Sequence, residues 1–169
     1  MLSEAIRALK AGRAPALDRP LAAVSEIELQ VPALLPQDYV PDVHLRLALY
    51  QRIAAADAAA LQEMTAELID RFGTLPEPAS HLLRLARLRL LAKALGVRRL
   101  ELGASGGSVQ FETENRVDAR RLIAMVQRHS REYRFEGPLK LRIARSLPKA
   151  EQRFEYAQRL LEQLAGDAA

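Results

Sequence analysis

The sequence predicts an α+β fold: a helical first half around one central leucine-rich helix, then a small region of short β-strands and a C-terminal helix. Three observations predict it. Residues 42–95 carry three successive stretches of helical apolar spacing, parted by Asp57 and by the break from Gly73 to Pro78. Residues 97–113 and 133–145 carry short alternating segments, interrupted by Gly106-Gly107 and Gly137-Pro138. After Pro148 the helical spacing returns, with Phe154, Ala157, Leu160, Leu161 and Leu164 on one face. The chain has 169 residues, 49% of them hydrophobic and 27% charged, enough for one good-sized core or two small ones.

Each element has a local reason. Leu2, Ile6 and Leu9 place a helix over residues 2–11, and its start without a capping sequence is expected of a chain cut from something longer. AGRAPALDRP follows, with Gly12, Pro15 and Pro20 as breakers. Residues 1–20 therefore read as a connecting helix and linker, and residues 21–169 as the domain. In SEIELQV, Ile27, Leu29 and Val31 alternate with Glu26, Glu28 and Gln30, the period of a half-buried strand. Pro32, Pro36 and Pro41 make the next segment a rigid irregular connection.

The first helix of the domain, over 42–55, places Leu45, Leu49 and Ile53 on one side and Val43, Leu47 and Tyr50 on another. Asp57 caps the second, which runs to Phe72 with Gly73 as a left-handed stop. Pro78 opens the third, which runs to about Leu95 before Gly96. Its leucines, including Leu82, Leu83, Leu88 and Leu91, point nearly all round the axis, as in a helix packed on several sides. VRRLEL and SVQFET flank ASGG as a hairpin, with Gly106 and Gly107 expected at the turn. Asp118 caps a helix to about Arg128, with Val117 and Leu122 placed as a hydrophobic staple. YRFEG and LKLRIAR are two further strands, and Pro148 starts the last helix.

Several chemistries find no support. The chain has no cysteine, which removes disulfides and thiolate metal sites and fits a reducing compartment. It has no stretch of about 18 consecutive apolar residues, so no membrane helix is expected, and its start lacks a secretory apolar segment. No glycine-rich phosphate loop occurs. His44, His81 and His129 are far apart, and Ser105 and Ser108 lack the nucleophile setting of hydrolases. No catalytic residue, metal ligand or cofactor is therefore assigned, and the fragment is not read as an enzyme.

Two surfaces could bind. The first is basic. Arg84, Arg87 and Arg89, followed by Lys93, Arg98 and Arg99, could meet nucleic-acid phosphates. They scatter around the helix axis, however, and aromatics total only 5%, so a role in covering a leucine-rich helix is favoured. A nucleic-acid module using Arg84, Arg87 and Arg89 stands as the alternative.

The second surface lies in ELIDRFGTLPEP, residues 67–78. Leu61, Met64, Leu68 and Phe72 define the inward face of the second helix. That pattern forces Glu63, Glu67 and Asp70 outward into one stripe. Like charges at this spacing repel, and a carboxylate in the last turn costs about 0.3–1 kcal/mol against the helix dipole. Arg71 offsets part of this. Exposed acids are common, and a solvated face is the ordinary outcome. A docking stripe for cations is the functional alternative, which burial of these groups, or internal cations already neutralising them, would overturn.

EIELQVPALLPQDYVPDVHLRLALYQRIA, ELIDRFGTLPEP and LLRLARLRLLAKALGVRRLE, in this order, closely resemble the C-terminal (TRCF, autoinhibitory) domain of bacterial transcription-repair coupling factors. The likeness covers nearly the whole chain and is weakest over its last two dozen residues. Residues 1–20 would then join this domain to a motor region. The resemblance implies a parent that is an ATP-driven DNA translocase of the cytoplasm, which releases stalled RNA polymerase and recruits the excision-repair protein UvrA. It also implies that this domain folds back on a UvrB-like module of the same protein and masks the UvrA-binding surface. Glu67 and Asp70 match the acidic positions of the family's ELIDRFG motif, which face basic residues of that module. Glu63 lies on the same stripe without matching the motif. The resemblance implies that the fragment carries none of the motor; no cofactor or membrane contact is expected of it, and direct DNA binding is disfavoured.

Overall fold

Asp42 starts the first described helix by accepting hydrogen bonds from the backbone N–H groups of His44 at 2.9 Å and Leu45 at 3.2 Å. The chain is seen here in a computed structural model that describes residues 25–166. The helix expected over 2–11 and the linker over 11–20 lie outside the described residues. Helix α1 spans Val43–Ala55 and buries Leu49 and Ile53. Of its two apolar sides this one is the buried one; on the other, Val43 is 51% exposed and Leu47 39%, while Tyr50 packs against the core and accepts from the Leu35 N–H at 2.8 Å.

Helix α2 spans Ala58–Phe72 and buries Leu61, Met64 and Leu68, the face expected from spacing. Asp57 caps it by accepting from the Ala60 N–H at 2.8 Å. Gly73 closes it with φ 93° and ψ −169°, a positive φ but an extended ψ, so the stop is not the left-handed helical form expected. The Tyr39 hydroxyl lies 2.7 Å from the Gly73 carbonyl and 3.1 Å from that of Leu68, which fixes this exit.

Helix α3, Glu77–Leu95, begins at Pro76 and ends at Gly96, which is left-handed at φ 79° and ψ 33°. It is the central helix and joins two cores. Its first half puts Ala79, Leu83 and Ala86 into a cluster with Leu49, Leu61 and Leu68. Its second half puts Leu88, Ala92 and Leu95 into a cluster with the sheet and the last helix.

Strand β1 is Glu26–Glu28, β2 Val97–Gly103, β3 Gly106–Phe111, β4 Tyr133–Phe135 and β5 Lys140–Ala144. They form one sheet in the order β1-β2-β3-β5-β4. β1 runs parallel to β2 with Ile27 opposite Leu100, and the other pairings are antiparallel. β1 is shorter than the alternation over residues 25–31 suggests. The Leu29 carbonyl is taken by the Arg153 guanidinium at 2.8 Å, and Gln30 turns the chain away with φ 55°.

The β2–β3 turn is Ala104-Ser105, and Gly106 and Gly107 belong to β3, opposite Gly103 and Leu102. This corrects the expectation that both glycines form the turn. They are needed for close packing instead: a Cβ on Gly106 would collide with the Ile143 carbonyl, and one on Gly107 with the Glu101 carbonyl.

Helix α4 spans Ala119–Arg128, capped by Asp118, and α5 spans Ala150–Ala165. α5 buries Phe154, Ala157, Leu160, Leu161 and Leu164 on α3 and β2. α4 lies outside it and buries no residue fully. Among the described residues, five helices and a five-stranded mixed sheet make this an α+β fold.

Candidate interaction surfaces

The α2 periodicity that buries Leu61, Met64 and Leu68 leaves Glu63 and Asp70 exposed and Glu67 partly so, its side chain 34% accessible. The three carboxylates therefore share the outer side of the helix, and their chemical states differ. Glu67 is held by Arg52 from the last turn of α1: Nη1 donates to Oε2 at 2.9 Å and Nη2 to Oε1 at 3.1 Å. Arg71, one turn on, donates to the same Oε2 at 3.4 Å. The Arg52 hydrogen bonds hold the Glu67 carboxyl below the usual glutamate range, and Glu67 raises the Arg52 guanidinium in turn.

Glu67 is thus not a free anion, against the expectation of two unengaged carboxylates. Arg71 was visible in the sequence as its neighbour. Arg52 was not, because it stands fifteen positions away on another helix. Asp70 and Glu63 make no ion pair with any described residue. Asp70 lies in the last turn of α2, where the backbone carbonyls disfavour a carboxylate.

Half of the basic cluster, Arg84, Arg89 and Arg99, is committed to the fold, while Arg87, Lys93 and Arg98 are exposed. Arg84 donates both Nη groups to Glu151 of α5, at 2.6 and 3.1 Å, and its guanidinium lies 4.1 Å from the Phe154 ring centre. Arg84 therefore joins α3 to α5. Arg89 is half-buried, and its burial lowers its affinity for a proton. Arg99 is paired with both Glu26 and Glu101. Of the three arginines in the nucleic-acid alternative only Arg87 is exposed, so the structure does not assemble that phosphate-contacting row. Among the described residues no group of three or more His, Asp or Glu side chains could hold a metal ion. No described helix is long and apolar enough to cross a membrane.

Together these features define an α+β domain of two cores strung along one helix, whose distinctive chemistry is charge on its surface. Residues 29–122 match the TRCF domain family, and the chain belongs to that family. It is 42% identical over 169 residues to the transcription-repair-coupling factor of Escherichia coli K12, covering 99% of this chain and 15% of that protein. It is 42% identical over 166 residues to the factor of Haemophilus influenzae, covering 98% of this chain and 14% of that one. The chain thus spans about one-seventh of the length of these relatives. The crystal structure of the C-terminal domain of a transcription-repair coupling factor shares its fold, with a TM-score of 0.66 and 23% identity over 86% of this chain and 96% of that one.

Proposed function

We propose that this domain is the regulatory C-terminal unit of a transcription-repair coupling factor, acting in DNA repair by masking rather than by catalysis. Its α2 carboxylates grip cations on a UvrB-like module of the same polypeptide and so cover the surface that UvrA would use. Asp70, exposed in the last turn of α2 with no ion partner among the described residues, is the observation that carries this reading. An incoming guanidinium would relieve its repulsion from the helix terminus as well as from Glu67. Glu67 enters the contact as one end of a network. Arg52 occupies one lone pair on each oxygen and Arg71 a second on Oε2, so Oε1 retains capacity for one further donor.

A polar clasp of this kind suits a switch. Charge-assisted hydrogen bonds contribute about 1.5–3 kcal/mol each when well formed. Tethering adds an effective concentration on the order of millimolar. The closed state then dominates at rest, yet losing about 2 kcal/mol shifts the ratio of closed to open roughly thirtyfold. Engagement of stalled RNA polymerase by the parent, read as an ATP-driven translocase, would supply the opening.

In the full-length protein, Glu67→Ala with Asp70→Ala is expected to leave the fold intact and raise UvrA binding. Equal UvrA binding by variant and wild type would remove the clasp.

A further inference from the structure

A second charged surface, opposite in sign, lies in the sheet half of the molecule. A cleft of about 540 Å³ opens between α4 and α5. Its floor is apolar, formed by Met125 and the buried Leu160. Its inner wall is closed by its own hydrogen bonds. The Tyr156 hydroxyl lies 2.9 Å from Glu132 Oε1 and 3.0 Å from the Tyr133 hydroxyl. Arg145 donates to the same Glu132 oxygen at 3.0 Å, and its guanidinium stands 5.5 Å from the Tyr156 ring centre. The one carboxylate lining the cleft is therefore already engaged.

The rim is cationic. Arg128 on α4 and Arg159 on α5 are exposed and pair with no described carboxylate. Residues 119–131 hold four arginines and no acid. Four arginines against one glutamate give the lining a net charge of +3 with its histidine neutral.

We propose that this cleft docks an acidic segment of a protein partner, with carboxylates on Arg128 and Arg159 and an aliphatic side chain on Met125 and Ala124. Charge selects an anion, and the floor selects the kind. A single nucleic-acid strand gains much of its affinity from aromatic faces on which its bases stack. Tyr133 is buried and Tyr156 lies beneath Arg145, so neither offers one. The apolar floor instead matches a leucine or methionine set among Asp and Glu. This surface is built on other elements than the α2 stripe, and its occupant is a different one.

The test is fluorescence anisotropy of the 169-residue chain at low salt with a labelled short peptide of Asp and Glu around one leucine, beside labelled oligo-dT of similar length. Saturable peptide binding is expected to weaken roughly tenfold or more in Arg128→Glu with Arg159→Glu, and to weaken when the peptide leucine becomes serine. Arg134→Glu, an exposed charge on β4 outside the cleft, is expected to change it little. Both rim arginines are exposed, so an unchanged thermal melt checks that the variant is folded. Oligo-dT binding in place of peptide binding, no binding of either, or equal loss in the Arg134 variant would each overturn the proposal.

Discussion

Arg52 of α1 and Glu67 of α2 face each other as two parallel forks, with hydrogen bonds of 2.9 and 3.1 Å. The pair ties the first two helices together at the surface, with side chains 49% and 34% accessible. At such exposure water screens the attraction, and the stability involved is about 0.2–1 kcal/mol. Arg52→Ala should therefore shift a urea unfolding midpoint only slightly. The same change releases Glu67, and under the proposed clasp it should tighten the grip on a cationic surface. A variant that unfolded outright, or bound the module more weakly, would contradict this reading of the pair.

Asp70 and Glu67 should contribute unequally. Glu67 has to share its oxygens with Arg52 and Arg71, whereas Asp70 has no ion partner among the described residues to give up. Asp70→Ala is thus expected to weaken the proposed contact by about 1.5–3 kcal/mol, the worth of a charge-assisted hydrogen bond. Glu67→Ala should weaken it by less. Isothermal titration of the two single variants against the UvrB-like module separates them.

Arg153 is a buried cation satisfied only by carbonyls. It donates to Leu29 and Leu147, each at 2.8 Å, and so holds the exit of β1 and the loop before α5 against one helix. Arg153→Met keeps the aliphatic stem and leaves both carbonyls without this donor. An unsatisfied buried polar group costs about 1–3 kcal/mol. The expected loss in a denaturant titration is therefore about 2–4 kcal/mol, far above that for Arg52→Ala.

These contrasts show where sequence reasoning reaches and where it stops. The inward face of α2 was legible because Leu61, Met64 and Leu68 repeat with the helix. The caps at Asp57 and Asp118 were legible because capping acts within three residues. The Arg52 partner of Glu67 and the Glu151 partner of Arg84 were not, since they lie 15 and 67 positions away and depend on how helices dock. The parallel pairing of β1 with β2 was hidden for the same reason, with three helices intervening. Gly106-Gly107 misled because a glycine pair between strands signals a turn as readily as a close backbone approach. Arg153 did leave a signal. It falls in the helical register of Ala157, Leu160 and Leu164, a charged residue on the apolar face of α5.

Stability should fall in acid. Arg52 holds Glu67, and Arg84 holds Glu151, below the ordinary carboxylate range. A carboxyl with a lower pKa in the folded chain than in the unfolded one adds stability that is complete above the unfolded value, about 4.3. That stability disappears as the pH drops through the folded value. Both pairs are solvent-screened, so each contributes less than about 1 kcal/mol. Denaturant titrations between pH 6 and 3 should show the decline, and Arg84→Met should make it shallower by removing the Glu151 part.

The most direct test of the masking account is the affinity of the 169-residue chain for the isolated UvrB-like module, measured as salt is raised. A grip made of exposed carboxylates on cations should weaken steadily with ionic strength, and Glu67→Ala with Asp70→Ala should abolish most of that dependence. Binding that ignores salt and is unchanged in the double variant would contradict it.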